Sequence, residues 1–353
     1  MYRHILERIL AAFCALAGVC FASPLNAENP NSTTASALGQ ERPSRIQVLK
    51  SDEAWQLLSV DPENPGQSLP AWARALATPL PRTTGNMLKL DYLHRVDSPL
   101  DAKLRAKIRW VAGHANRCAF SEHYALADLR RAGADQAEID ALVKRAEAGS
   151  KSETSLLQFA HTLTLDGSAV TDKEVATLIA DYREKQVMAM VLLIAYANFQ
   201  DRLLLTLGLS DKDETSLEPI AVQAAKGKTK ETTYQAAKRE PIQAASVQSR
   251  LPAVHPDWSE FNFTQIQERL ESQRSRKPRI KLPDAANAKK EGDSARPKRR
   301  TRVRWTLVCM TYQPQLSKAW FACMGSFRRE SKQDRVFEES LFWVITRSLQ
   351  CFY

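Results

Sequence analysis

From about residue 51 to residue 209, apolar residues recur every three or four positions, the spacing of helices with one buried face. The stretch 98–117 is representative. A Ser-Pro-Leu-Asp entry from Ser98 to Asp101 precedes a stripe of Leu104, Ile108, Val111, Ala112 and Ala115. Arg130, Arg131, Ala132 and Gly133 close the next helix, with the glycine in the usual terminating position. Val170, Thr171 and Asp172 open another. Residues 186–205 are apolar over most of the helix circumference, which predicts a helix buried in a bundle or in a homo-oligomer interface. No strand alternation with hairpin turns accompanies them, so the predicted class is all-α.

The flanks read differently. Arg3, His4 and Arg8 precede an apolar stretch at 9–22 and small residues through Ala27, the build of a secretory signal peptide over residues 1–27. The stretch is short for a membrane span, and no later segment is expected to reach the roughly 20 apolar residues that a span needs. Leu16 to Cys20 is reminiscent of a lipoprotein signal, but Val19 sits where such signals carry a very small residue. The expectation is therefore export to the periplasm or cell envelope, with a retained N-terminal anchor as the alternative. Residues 28–50, rich in Asn, Ser, Thr and Pro, form a flexible leader to a helical domain at 51–212.

At 213–300 the composition turns to Lys, Gln, Ala, Pro and Ser, with one amphipathic helix predicted at 259–275. The run 274–304 is densely basic and carries much of the net charge of +10. It reads as a solvated linker able to touch anionic surfaces; export and sparse aromatics argue against a specific nucleic-acid partner. Apolar helical pattern returns over 301–353.

Removing the signal takes away Cys14 and Cys20 and leaves Cys118, Cys309, Cys323 and Cys351, too few for a disulfide scaffold in so long a chain. Cys309 and Cys323 fall on helical pattern and are expected to pack as small apolar residues.

Sliding the chain by 233 positions reveals an ungapped repeat. Trp72 falls on Trp305, Pro81 on Pro314, Asp101 on Asp334, Trp110 on Trp343, Val111 on Val344 and Cys118 on Cys351. Leu104, Ile108 and Ala112 of the buried stripe become Phe337, Leu341 and Ile345. Trp110 and Trp343 are therefore expected in equivalent core positions. About ninety residues of helix follow Cys118, but two follow Cys351, so the second copy is expected to leave Phe337, Leu341, Val344 and Ile345 exposed.

Around both cysteines, 107–133 and 338–353, the chain resembles the alkylhydroperoxidase AhpD/carboxymuconolactone decarboxylase superfamily. Residues 191–203 resemble the helix that closes such domains. The resemblance implies an AhpD-like helical bundle, present twice, the second copy incomplete. Redox members carry Glu-x11-Cys-x2-Cys-x3-His, in which the cysteines cycle through a disulfide at a helix start while Glu and His relay protons. In the first copy Ala106 replaces the Glu, Ser121 the second cysteine and Ala125 the His, so Cys118 and Ser121 mark a degenerate site. His114 and His123 flank Cys118, but His123 should point away from it and no fourth ligand is evident, so neither a metal nor a cofactor is expected. In the second copy Glu339 lies twelve residues before Cys351, as the family pattern requires.

The resemblance thus implies an exported thiol or selenol oxidoreductase acting on small-molecule peroxides or on thiol/disulfide substrates. Cys351 would be the partner or resolving thiol and Glu339 the proton relay. A carboxymuconolactone decarboxylase-type lyase and a non-enzymatic helical scaffold are the alternatives. The second redox atom falls at the position after Tyr353, where a UGA codon for selenocysteine, read as a stop, would leave the sequence as it stands; a frameshift, a nonsense mutation or a degenerate pseudo-domain would do the same. The downstream nucleotide sequence is expected to show UGA followed by a helical reading frame with a His four residues beyond that codon. Any other codon there excludes the selenocysteine reading.

Overall fold

The computed structural model describes residues 46–147, 155–210, 217–225, 262–275, 277–282, 304–331 and 335–348. The expected signal segment, most of the expected leader and linker, and Cys351 lie outside the described residues. The elements in chain order are α1 (Ser51–Leu57), β1 (Val60–Pro62), α2 (Ala71–Leu76), α3 (Pro81–Arg95), α4 (Ala102–Ala115), α5 (Ala119–Arg131) and α6 (Gln136–Glu147). They continue with α7 (Ser155–Leu165), α8 (Asp172–Leu207), β2 (Val222–Ala224), α9 (Phe263–Ser275), α10 (Arg304–Tyr312), α11 (Pro314–Glu330) and α12 (Arg335–Ser348). The class is all-α. The two three-residue strands pair antiparallel, Val60 opposite Ala224, and tie residues 217–225 back to the start of the domain. Strands this short carry no alternation to read.

Local chemistry explains most helix ends. The α4 helix begins at Ala102 rather than at Ser98, because the Asp101 side chain accepts the Leu104 backbone N–H at 3.1 Å and so occupies the N-cap. Gly133, at φ +83°, follows the end of α5. Thr171 and Glu174 form a reciprocal capping box at the start of α8, and Gly208 ends it in the left-handed conformation. The α8 helix bends at Arg183, and its second half is the apolar segment expected at 186–205. By length and composition α8 could cross a bilayer, contrary to the expectation that no segment after the signal would; its most apolar window is 67% buried within the protein. Such burial is what a core helix shows.

The main core lies between α4, α5, α6, α7 and α8, where Ile108, Trp110, Leu129, Leu156, Phe159 and Ile194 are buried. A second core gathers α1, α2 and α3 with Phe120 and Tyr124 of α5, Leu204 of α8 and Cys323 of α11. Thus α11 is part of the folded body, packed along α3. Cys309 and Cys323 are buried, as their apolar surroundings require, and burial lifts the Cys323 thiol to about 12.

The boundaries of the later helices echo those of the earlier ones. Both α3 and α11 start on a proline, at 81 and 314, while α4 and α12 span 102–115 and 335–348. The starts of each pair are displaced by 233 positions, the offset of the expected repeat. The environments differ. α5, α7 and α8 all pack on α4, whereas Phe337 is 56% exposed on α12, with Leu341 and Val344 also exposed. Trp343 corrects the expectation of a core position. Its equivalent Trp110 is buried at 1% exposure, but Trp343 is exposed at 54%, because nothing among the described residues covers α12 as those three helices cover α4.

Candidate functional site

The α4 and α5 helices meet at a tight corner, and the site is built on it. A Cβ on Gly113 would stand 3.0 Å from the Ser121 Cβ and 3.2 Å from the Glu122 backbone N, so the glycine lets the first turn of α5 press onto α4. Cys118 is the N-cap residue of α5 and Ser121 lies in its first turn. That closeness brings Ser121 within reach of Arg109 on α4 and Asp201 on α8.

The hydroxyl of Ser121 is fully used. It accepts from Arg109 Nη2 at 2.7 Å and from the Cys118 thiol at 3.4 Å, and it donates to Asp201 Oδ1. Arg109 Nη2 also donates to Asp201 Oδ1 at 2.6 Å and to Gln200 Oε1 at 3.0 Å. Asn116 Nδ2 donates to Asp201 Oδ2 at 2.8 Å and to Asn198 Oδ1 at 2.7 Å. Asp201, Ser121, Gln200, Asn198 and Arg109 are all buried. Burial alone would lower the Arg109 pKa, but the Asp201 carboxylate outweighs it and holds the guanidinium charged.

Cys118 is in the wrong surroundings for a nucleophile. Burial, reinforced by Asp201, raises its thiol to about 11 against the opposing pull of Ser121 and Arg109. The helix N-terminus it caps would favour a thiolate, but the nearby carboxylate and the loss of water win. Ala106 and Ala125, at the positions of the family's Glu and His, are buried and carry no titratable group. The structure brings Cys118 and Ser121 together, and neither Ala106 nor Ala125 beside them can relay a proton.

A cavity of about 170 Å³ opens beside this network. Asp91, His94 and Arg95 of α3, Arg105 and Arg109 of α4, Tyr124, Asp128 and Arg131 of α5, and Tyr196 and Gln200 of α8 line it, with Pro219 on its rim. Arg95 organises the wall. Its Nε and Nη2 donate to the two Asp128 oxygens at 2.8 and 2.7 Å, and its guanidinium lies 4.0 Å over the Tyr124 ring. Tyr196 OH donates to Asp91 Oδ1 at 2.9 Å, and burial raises the Asp91 pKa against the opposing pull of Arg95. His94 stacks on Tyr196 at 4.6 Å, and burial, helped by Arg109 and Arg105, holds its pKa down to about 3. Arg109 Nη1 is buried beside the cavity and has no hydrogen-bond partner. Such a wall of cations and acid/base groups can orient a small anion and exchange protons with it.

No sequence motif pointed to Asp91, His94, Arg95, Tyr196 or Asp201. The available signal was charge and amide on helix faces otherwise apolar: Asp91 and His94 within α3, and Asn198, Gln200 and Asp201 within α8. Glu339 lies on α12, where Val336, Ser340, Trp343 and Val344 surround an open surface hollow, and Cys351 lies outside the described residues. Among the described residues no group of three or more His, Cys, Asp or Glu could hold a metal ion.

Residues 81–162 match the model of the carboxymuconolactone decarboxylase family, a span that runs from α3 into α7. No curated protein and no solved structure matches the chain. Cys118, Ser121, Arg109 and the α3 wall lie inside the matched span, whereas Tyr196, Gln200 and Asp201 come from α8 beyond it.

The pH dependence of stability should carry the mark of His94. An unfolded imidazole takes up a proton near pH 6.5, but the buried one resists until about pH 3, so the unfolded state binds more protons across that window. Stability attributable to His94 is therefore lost as pH falls below about 6.5, by up to ~1.4 kcal/mol per pH unit. Asp91, its pKa raised, acts in the opposite direction and is common to wild type and His94→Gln. Urea unfolding at pH 7, 6 and 5 should show wild type losing stability relative to His94→Gln; parallel profiles would exclude a buried neutral imidazole.

Proposed function

We propose that the chain is an exported AhpD-like thiol or selenol oxidoreductase acting on peroxides or disulfides, with Glu339 and Cys351 as one half of its redox site. The match over 81–162 supports the superfamily. The observation that carries the finer reading is positional: Glu339 is the fifth residue of α12, as Ala106 is the fifth residue of α4. The redox members of the family resembled have their proton-relay Glu there. In this reading Cys351 is the partner or resolving thiol, and Glu339 supplies or takes up the proton as the sulfur and its partner chalcogen are oxidised and reduced. The first domain serves as the redox-silent body against which α10 and α11 fold, since its only cysteine is buried, protonated and paired with a serine.

The cavity beside Arg109 favours a second reading, a lyase working by acid/base catalysis on a carboxylated lactone. It would bind its anion at Arg105 and Arg109 and use Asp91, whose raised pKa suits a proton donor. One set of assays separates the two. With the chain continued through its expected helical reading frame beyond Tyr353 and Cys supplied at the first position of that continuation, the protein should turn over peroxide or disulfide with a thiol donor; Cys351→Ser should abolish turnover and Cys118→Ser leave it within about twofold. Loss of turnover in Cys118→Ser, with Cys351→Ser active, would contradict the placement of the site. Lactone consumption lost in Arg109→Met and indifferent to Cys351→Ser would select the lyase.

A further inference from the structure

Four arginines face the cavity, and the protein engages them unequally. Arg95 is held by both oxygens of Asp128 and by the Leu217 carbonyl at 2.5 Å. Arg131 is held by Asp128 and by Glu218 at 2.8 Å. Arg105 differs. It donates to the Leu100 carbonyl at 3.2 Å and forms no ion pair among the described residues, and burial lowers its pKa. Arg109 gives Nη2 to Asp201, Ser121 and Gln200 and leaves Nη1 buried without a partner. Arg105 and Arg109 stand one turn apart on α4 and both line the cavity, so their unengaged donors share one side of it.

A second buried group on the same wall lacks a partner. His94 is 4% exposed, and its ring stacks on Tyr196 but makes no hydrogen bond among the described residues. Leaving a buried polar group unmatched is costly, and here two such groups line one cavity. With its pKa held down to about 3, the imidazole offers an N–H and a lone pair but no charge. Asp91 and Asp128 line the same cavity, so a second carboxylate on a ligand would meet carboxyl groups already present. A hydroxyl or carbonyl oxygen would not be repelled in this way. The volume limits the size. A cavity of about 150 Å³ holds a six-carbon ring, so about 170 Å³ accommodates roughly six to eight non-hydrogen atoms.

We propose that this cavity binds a small oxo or hydroxy monocarboxylic acid, with its carboxylate on Arg105 and Arg109 Nη1 and its second oxygen on the His94 ring. The carboxylate position is that of the lyase reading, on which this site rests. His94 and the ligand's second oxygen go beyond that reading, and binding requires no turnover. Arg95 and Arg131, already paired with protein carboxylates, shape the wall and leave the anion to the two α4 arginines.

Isothermal titration of the full chain at pH 7 with 2-oxopentanoate, 4-oxopentanoate, pentanoate and glutarate tests the site. One of the two oxo acids should bind about tenfold or more tighter than pentanoate and than glutarate. Arg105→Gln, at a half-buried position, should weaken that oxo acid by about tenfold or more. His94→Phe keeps a ring to stack on Tyr196 and removes both nitrogens. It should bring the oxo acid to within about twofold of pentanoate and leave pentanoate unchanged. No binding of either oxo acid, in heat or in thermal shift, would overturn the proposal. A preference for the oxo acid that survives His94→Phe would overturn the role of His94, and glutarate binding tighter than both oxo acids would overturn the single-carboxylate class. Oxo-acid binding without lactone consumption would support the site and reject the lyase. Lactone consumption by a chain that treats oxo acids and pentanoate alike would reject the site and leave the lyase.

Discussion

The Arg109–Asp201 ion pair sits inside a helical core, with the Asp201 side chain wholly buried and that of Arg109 at 9% exposure. Taking two charges out of water costs several kcal/mol for each, and the attraction between them offsets that only where every remaining donor and acceptor is satisfied. The surroundings answer that demand nearly in full. Ser121, Gln200 and Asn116 complete the bonding around the pair, and Gly113 allows the helix crossing that brings Ser121 close enough to take part. The register of α4, α5 and α8 is thereby set at one point. The orphan is Arg109 Nη1, and it lies beside the cavity.

The same pair accounts for the state of Cys118. A redox thiol needs positive potential, access and a partner sulfur. Here the nearest cation is already engaged by Asp201, and the carboxylate adds its own unfavourable potential to that of burial. The corner between α4 and α5 is a structural joint that Ser121 helps to hold. Its neighbouring cavity retains polar chemistry: burial raises the pKa of Asp91 and of Tyr196 against the opposing pull of the arginines, and burial with Arg109 and Arg105 lowers that of His94. The redox reading consequently rests on Glu339 and Cys351, and the acid/base reading on the cavity beside Arg109.

Features that depend on neighbours in sequence were legible before the structure. The Leu104–Ala115 stripe, the Gly133 stop, the Thr171 cap and the apolar second half of α8 each follow from spacing within a turn or two. The contact between Cys118 and Ser121 was also within reach of the sequence, because the two residues are three positions apart at one helix start. What joins residues far apart was not. Asp201 is 92 positions from Arg109 and Leu217 is 122 positions from Arg95, and no periodicity connects them. The exposure of Trp343 shows the converse limit, since a stripe states which face should be buried but not whether a neighbour is present to bury it.

The central claim is that the corner at Cys118 and Ser121 is held by the buried Arg109–Asp201 charge pair, and a double-mutant cycle on unfolding free energy tests it most directly. Arg109→Met and Asp201→Leu should each lose about 3–5 kcal/mol at pH 7, because each strands a buried charge. The double variant should lose no more than either single variant, with a coupling of about 3 kcal/mol or more. Additive losses, or single variants that cost under about 1 kcal/mol, would contradict the account.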